Sequence, residues 1–318
     1  MKYQITQYTL RGARPTNEDR VGYAERDNAV LLVVADGLGG HRGGEIAAEV
    51  LVETLLHSFQ SLRQPVINRP SAFLALGILQ AHHAIIARAK ASQTPIEPRT
   101  TCVACLVQNG YAYWAHVGDS RLYVIRQDRV LLRTQDHTAI DEMHQDGLLT
   151  EQEMLDHPQK SHLLNCLGGG VTPTISVSEE TLLQPGDMLL ACTDGLWEAF
   201  TPEEITNYLK APALDEAMEE MLFAAVRKMK HGCDNVSAVC LRWQDAMSKN
   251  PPLQGNVAVQ IDEAMLRQEA RHHLPHVARR PVPIPPAPVV EDTSKEKNRP
   301  LQDRIQEIED FLKKHEAK

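Results

Sequence analysis

Four aspartates occupy one kind of position in this 318-residue chain. Asp36 in VVADGLGGHRGG, Asp119 in AHVGDSRLYVI, Asp194 in LLACTDGLWE and Asp234 in HGCDNVSAV each stand where an apolar run meets a glycine or asparagine turn. A single one of them is explained as a cap or a turn former. Four require a further reason. An acid at the end of a buried strand loses its hydration, and it stays charged only if a cation or several donors replace the lost water. Carboxylates that neighbouring strands bring to one edge repel strongly in a low dielectric unless hard cations separate them. The chemistry this points to is an oxygen-lined site for divalent metal, selecting Mg²⁺ or Mn²⁺ over Zn²⁺.

The segments that would position these acids read as short strands. LLVVAD, TTCVACLVQNGYAYWAHVGDSRLYVIR, DMLLACTD and NVSAVCLRW are rich in Val, Ala, Leu, Cys and aromatic residues and are bounded by Gly, Asp and Asn. Asn109-Gly110 predicts a tight hairpin, and RQDR predicts a second return, so the sheet is expected to be largely antiparallel. Between the strands, GGEIAAEVLVETLLHSF, PSAFLALGILQAHHAIIARAKA and LDEAMEEMLFAAVRKMKHG carry helical periodicity over three or more turns. Helices set apart from hairpin strands give an α+β layered class.

Composition bounds the partners. The chain is 42% hydrophobic with a net charge of −9, enough apolar matter for one large core or two smaller ones. From residue 246 onward, 12 Lys and Arg stand against 11 Asp and Glu, so the acidic excess lies wholly before that point. Such a surface argues against nucleic acid, whose phosphates need clustered Lys and Arg, and suits the gathering of divalent cations. The six cysteines sit mostly within apolar runs and read as core thiols. Cys102 and Cys105, three apart on a strand, would point to opposite faces rather than form a metal or redox pair. MKYQITQYTLRG lacks the apolar stretch of a secretion signal, and no run reaches the ~18 apolar residues of a membrane span. These features predict a reduced, cytoplasmic protein.

The chain changes character near Trp243. The expected organisation is a folded domain over residues 1–245 and a Pro-rich tail over 246–318, which holds nine of the 19 prolines and one of the 18 glycines. RRPVPIPPAPVV reads as an extended, semi-rigid spacer or a ligand for a proline-binding domain. IDEAMLRQEARHHL and LQDRIQEIEDFLKKHE read as short amphipathic helices; Leu301, Ile305, Ile308 and Leu312 form a stripe suited to packing back on the core or binding a protein partner.

Taken in order, RPTNEDR, VVADGLGG, the central hairpin through HVGDSRLYVIR, QDHT with the stretch to HPQKSHLLNCLGG, GDMLLACTDGLWE and DNVSAVCL resemble the successive motifs of the metal-dependent protein serine/threonine phosphatases, the PPM or PP2C family, in its bacterial form. The resemblance covers about residues 5–243. It implies a four-layer αββα sandwich, two antiparallel sheets flanked by helices, with a dinuclear metal centre at one end. By this similarity Asp36 would bridge two Mn²⁺ or Mg²⁺ ions, the Gly37 carbonyl would bind one, and Asp194 and Asp234 the other. Asp119, with Asp194, would hold a third, weaker ion. Glu18 and Asp19 would orient the waters on the metals, and Arg14 would grip the substrate phosphate with its planar guanidinium. The implied reaction is hydrolysis of phosphoserine and phosphothreonine on proteins by a hydroxide held between two metals, opposing a bacterial Ser/Thr kinase and needing no phosphoenzyme. Ser120 and the cysteines are then structural.

Leu38 stands where eukaryotic relatives often carry a histidine proposed as general acid. Leaving-group protonation would come from a metal-bound water or from His41, which reads more readily as a solvated loop side chain. TAIDEMHQDGLLTEQEMLDHPQKS reads as a mobile helical cover beside the cleft, the expected seat of substrate choice. Two competing readings are a phosphoprotein-binding regulator acting through its tail, disfavoured by the presence of Asp36, Asp194 and Asp234, and a nucleotide binder using GLGGHRGG, which lacks the following Lys.

Overall fold

Strand β3 (Ala29–Ala35) is apolar at every position and buried at every position, which an antiparallel strand tolerates only when both its faces are covered. In the computed structural model they are. The structure describes residues 1–38, 43–93, 96–150, 153 and 163–245. Two antiparallel sheets lie face to face, and their strands are β1 (Tyr3–Leu10), β2 (Arg20–Arg26), β3, β4 (Cys102–Gln108), β5 (Tyr111–Val117), β6 (Arg121–Arg126), β7 (Arg129–Arg133), β8 (Ser176–Val177), β9 (Thr181–Leu182), β10 (Met188–Cys192) and β11 (Val236–Trp243). One sheet has the order β1-β11-β10-β6-β7; the other has β2-β3-β4-β5-β8, with β9 also paired to β5.

Side-chain alternation sorts the core into three apolar layers. Val30, Leu32, Val34, Cys105 and Val107 meet Val124, Leu189, Val239 and Leu241 of the opposite sheet. Leu31, Val33, Cys102 and Leu106 face the other way, onto helices α1 (Gly44–Gln60) and α2 (Pro70–Ala91). Cys102 and Cys105 thus lie in different layers, as their spacing predicts. Outside the first sheet, Tyr123, Leu190, Ala238 and Cys240 pack with Ile205, Leu209, Met218 and Leu222. Those residues come from α5 (Pro202–Leu209) and α6 (Leu214–Met229). Among the described residues the other α-helices are α3 (Ala139–Gln145) and the one-turn α4 (Asp194–Trp197). The result is the expected αββα sandwich.

Both predicted hairpin turns form. Asn109 and Gly110 have φ of 53° and 82°, and Gln127 and Asp128 have 49° and 58°, the left-handed pairs that match the twist of a two-residue hairpin. Helix α2 departs from expectation in one respect: with 22 residues it is long and apolar enough, by length and composition, to cross a bilayer. Here it is a core helix. Leu74, Ile78, Ala81 and Ile85 are fully buried, and the helix packs on α1 and β5.

Antiparallel register explains why the four acids meet. Cys192 at the end of β10 lies opposite both Ala238 near the start of β11 and Arg121, the first residue of β6. In the second sheet Val34 near the end of β3 pairs with Val103, and Cys102 pairs with Val117 at the end of β5. The chain positions just beyond these residues, 36, 119, 194 and 234, therefore emerge at one end of the sandwich. Residues 246–318, including the two tail helices expected from the sequence, lie outside the described residues.

Candidate metal centre

At that end a cleft of about 460 Å³ is lined by Arg14, Glu18, Asp36, Gly37, Asp119, Asp194, Glu198 and Asp234 among others. Six carboxylates thus face one guanidinium, and among the described residues no imidazole or thiol joins them. Of the residues expected from the sequence, the structure brings Arg14, Glu18, Asp36, Gly37, Asp119, Asp194 and Asp234 together. Asp19 lies beneath: it is 2% exposed, and its Oδ2 accepts a 2.9 Å bond from Thr193 Oγ1, so it supports the strand end that carries Asp194. His41 lies outside the described residues, as does most of the cover between residues 151 and 162.

Each acid is held by its own strand end. Asp36 N donates to Thr101 Oγ1 at 3.0 Å, and its carbonyl accepts from Thr100 Oγ1 and Thr101 N, so backbone bonds to the start of β4 fix the loop while the carboxylate is left free of them. Thr101 Oγ1 also pairs with Ser120 Oγ at 2.7 Å in a fully buried contact, which assigns Ser120 a structural place. Asp234 accepts from Asn235 N through Oδ1 at 2.7 Å and from Arg14 Nη2 through Oδ2 at 2.5 Å. Asp119 is 3% exposed; its backbone carbonyl accepts from Trp197 Nε1 at 3.0 Å.

The electrostatics are those of a site built for cations. Burial, and then repulsion from Asp194, Asp19, Asp119 and Asp234, push the Asp36 carboxyl well above the usual carboxylate range. Asp194 is pushed up likewise, by burial first and then chiefly by Asp119. Desolvation raises Asp19 and Asp119 to about 7 each. Asp194 Oδ1 is buried with no hydrogen-bond partner, a vacancy in pairing that folded chains rarely leave among polar atoms. A hard divalent cation satisfies both the charge and the orphaned oxygen. Among the described residues no three acidic, imidazole or thiol side chains close on a single point, so the donors line an open cleft. That suits a Mg²⁺-like ion that keeps several of its waters.

Gly37 is required, though for a reason the sequence did not reveal. A Cβ there would stand 2.5 Å from the Glu18 carbonyl oxygen and 2.6 Å from the Gly44 carbonyl carbon and oxygen. The close approach that excludes a side chain is therefore that of two backbone segments, whatever an ion adds. Gly37→Ala is expected to cost about 1–3 kcal/mol as the loops are forced apart, read from urea denaturation; a change under ~0.5 kcal/mol would contradict this packing.

Asn235 is a residue that sequence reasoning passed over. Its Nδ2 donates to the carbonyls of Arg11 and Thr16 at 2.8 and 2.9 Å, and its Oδ1 accepts from Glu18 N at 2.9 Å. Every bond of the amide goes to the loop carrying Arg14 and Glu18, pinning that loop beside Asp234. In sequence it reads only as half of a turn-forming Asp-Asn pair, because its partners lie more than 200 residues away.

The family model for Protein phosphatase 2C matches residues 11–231. The chain belongs to the protein phosphatase 2C family. It is 31% identical over 288 residues to the serine/threonine protein phosphatase PstP of Mycobacterium tuberculosis, covering 88% of this chain but 53% of that protein, so the chain spans about half the length of this relative. The serine/threonine phosphatase of S. agalactiae has the same fold with a TM-score of 0.70 and 27% identity, over 76% of this chain and all of that one. A catalytic domain of PstP in complex with two manganese ions matches with a TM-score of 0.62 at 28% identity, over 76% of this chain and 99% of that one.

Proposed function

We propose that this chain is a divalent-cation-dependent protein serine/threonine phosphatase. The observation that carries the reading is the convergence of Asp36, Asp119, Asp194 and Asp234 on one cleft with a buried, unpartnered oxygen on Asp194 and, among the described residues, a single guanidinium, Arg14. Membership of a family whose relative was crystallised with two manganese ions supports it.

In this reading Asp36, the Gly37 carbonyl, Asp194 and Asp234 would hold two ions, and Asp119 with Asp194 would hold a third, weaker one. Bound Mn²⁺ or Mg²⁺ supplies Lewis-acid stabilisation of phosphoryl oxygens and lowers the pKa of water toward neutrality. The chain does the rest. Arg14 presents a planar pair of N–H donors to two phosphoryl oxygens and orients the ester for in-line attack by water. Glu18 and Asp19 keep the metal-facing side of the cleft polar and ordered. The P–O bond to the seryl or threonyl oxygen breaks, and that oxygen leaves as a hydroxyl after taking a proton; among the described residues no imidazole lines the cleft to give it, so water or His41 is its source. The substrates are phosphoproteins made by a Ser/Thr kinase, and the tail binds a protein partner. Six free cysteines, five of them buried, suit a reducing cytoplasm.

The test is hydrolysis of a phosphothreonine peptide and of p-nitrophenyl phosphate by the full chain. Turnover is expected with Mn²⁺ or Mg²⁺ and none in EDTA. Folded protein that turns over neither substrate with either metal would overturn the reading in favour of a phosphoprotein-binding regulator.

A pH dependence follows from the raised carboxyls. Asp19 and Asp119 bind protons more tightly folded than unfolded, about 7 against 3.8. Across that window the folded chain holds more protons on these acids, and on Asp36 and Asp194, which are raised further. Burial lowers His82, His116 and His137 and opposes this below about pH 6.5. The four acids outweigh them, so stability falls as pH rises. In EDTA, Tm is expected to drop by at least about 4 °C between pH 5 and pH 7.5, and saturating Mn²⁺ at pH 7.5 is expected to restore it. A Tm in EDTA that rises over this range would contradict the account.

A further inference from the structure

Arg121 is a buried cation, 7% exposed, that is not among the residues lining the cleft. Its Nε donates to Asp136 Oδ1 at 2.9 Å and its Nη2 to Asp136 Oδ2 at 2.6 Å, a bidentate pair. Its Nη1 donates to Tyr123 OH at 3.3 Å. The guanidinium plane lies over the Trp197 ring with 3.5 Å from Cζ to the centroid, within the range of a desolvated cation–π contact. Trp197 in turn donates from Nε1 to the backbone carbonyl of Asp119 at 3.0 Å. This one cluster ties together β6, the segment after β7 that holds Asp136, and α4, whose first residue is Asp194.

We propose that Arg121 and Trp197 act as positioning residues that fix Asp119 against Asp194 and thereby set how tightly the cleft holds its most weakly bound divalent cation. The proposal rests on the cation-binding reading above. Its physical content is rigidity: a stacked, bidentate arginine has few alternative geometries, and Trp197 is 9% exposed and anchored at both its face and its N–H. Groups that orient a ligand typically alter metal affinity by about 10–100-fold when removed.

The experiment is a Mn²⁺ titration of the full chain, reading free aqueous Mn²⁺ by its electron paramagnetic resonance signal, with thermal melting alongside. Trp197→Phe keeps an aromatic face but loses the N–H to Asp119; Arg121→Lys keeps the charge but loses the fork and the plane. Each is expected to weaken the last-filled Mn²⁺ by about 10-fold and to leave the tighter ions within about twofold. In an Asp119→Asn background Trp197→Phe is expected to add nothing, because the two changes then act on one link. Unchanged isotherms, uniform weakening of every ion, or additive effects in the double variant would each overturn the proposal. A wild type that binds two ions and no more overturns it while leaving the phosphatase reading intact; a wild type that binds none removes both.

Discussion

Asp36→Asn will lose at least about 10³-fold in kcat on a phosphothreonine peptide, corresponding to about 4 kcal/mol of lost transition-state stabilisation, while its metal-free form melts at a higher temperature than the wild type. The two effects have one cause. Asp36 is the carboxylate pressed by all its neighbours, since Asp194, Asp19, Asp119 and Asp234 each raise its proton affinity on top of burial. In the absence of cations an amide removes one member of that repelling set, and stability rises. With cations present the same change removes one of the carboxylates that line the cleft. Asp194→Asn is expected to behave alike, because Asp194 carries the buried oxygen without a partner. Activity within tenfold of wild type, or a metal-free Tm that falls, would contradict this assignment. Functional acids are often kept at a cost in stability that a neutral substitution reveals.

Arg14→Ala will lower kcat/KM by about 10²-fold through lost charge-assisted bonds to phosphate, with Mn²⁺ binding retained. Arg14 is the only cation lining the cleft among the described residues, and its side chain is 57% exposed, which keeps it accessible from solvent. Its 2.5 Å contact with Asp234 and the pull of Asp194 and Asp36 keep it firmly protonated. Arg14→Lys is expected to recover only part of the loss, because an ammonium supplies the charge without the planar fork. If Arg14→Ala instead kept kcat/KM unchanged under saturating Mn²⁺, Arg14 would be a partner of Asp234 alone.

The sequence made the strand-end acids readable because each lies at a local boundary, an apolar run meeting a turn residue, and local boundaries survive in one dimension. For the same reason both hairpin turns and the span of α2 were readable: Asn109-Gly110 and Pro70 are short-range signals. Strand β1 was not, since Tyr3–Leu10 mixes Thr and Gln with half-buried residues at the edge of its sheet, where packing rather than propensity decides the conformation. Helix α5 was passed over despite Thr201 and Glu204, which form a reciprocal capping box in the structure, a signal the sequence carried in TPEE. Asn235, Trp197 and the steric need for Gly37 could not be read at all. Each depends on a partner brought close only by the register of distant strands.

The most direct test of the metal centre counts ions rather than turnover. Equilibrium dialysis of the full chain against Mn²⁺, followed by elemental analysis, is expected to give at least two tightly held ions per wild-type chain and fewer than one per Asp36→Asn chain, with both proteins folded by circular dichroism. A wild type that retains no Mn²⁺, or an Asp36→Asn variant that retains as much as the wild type, would contradict the assignment of this cleft.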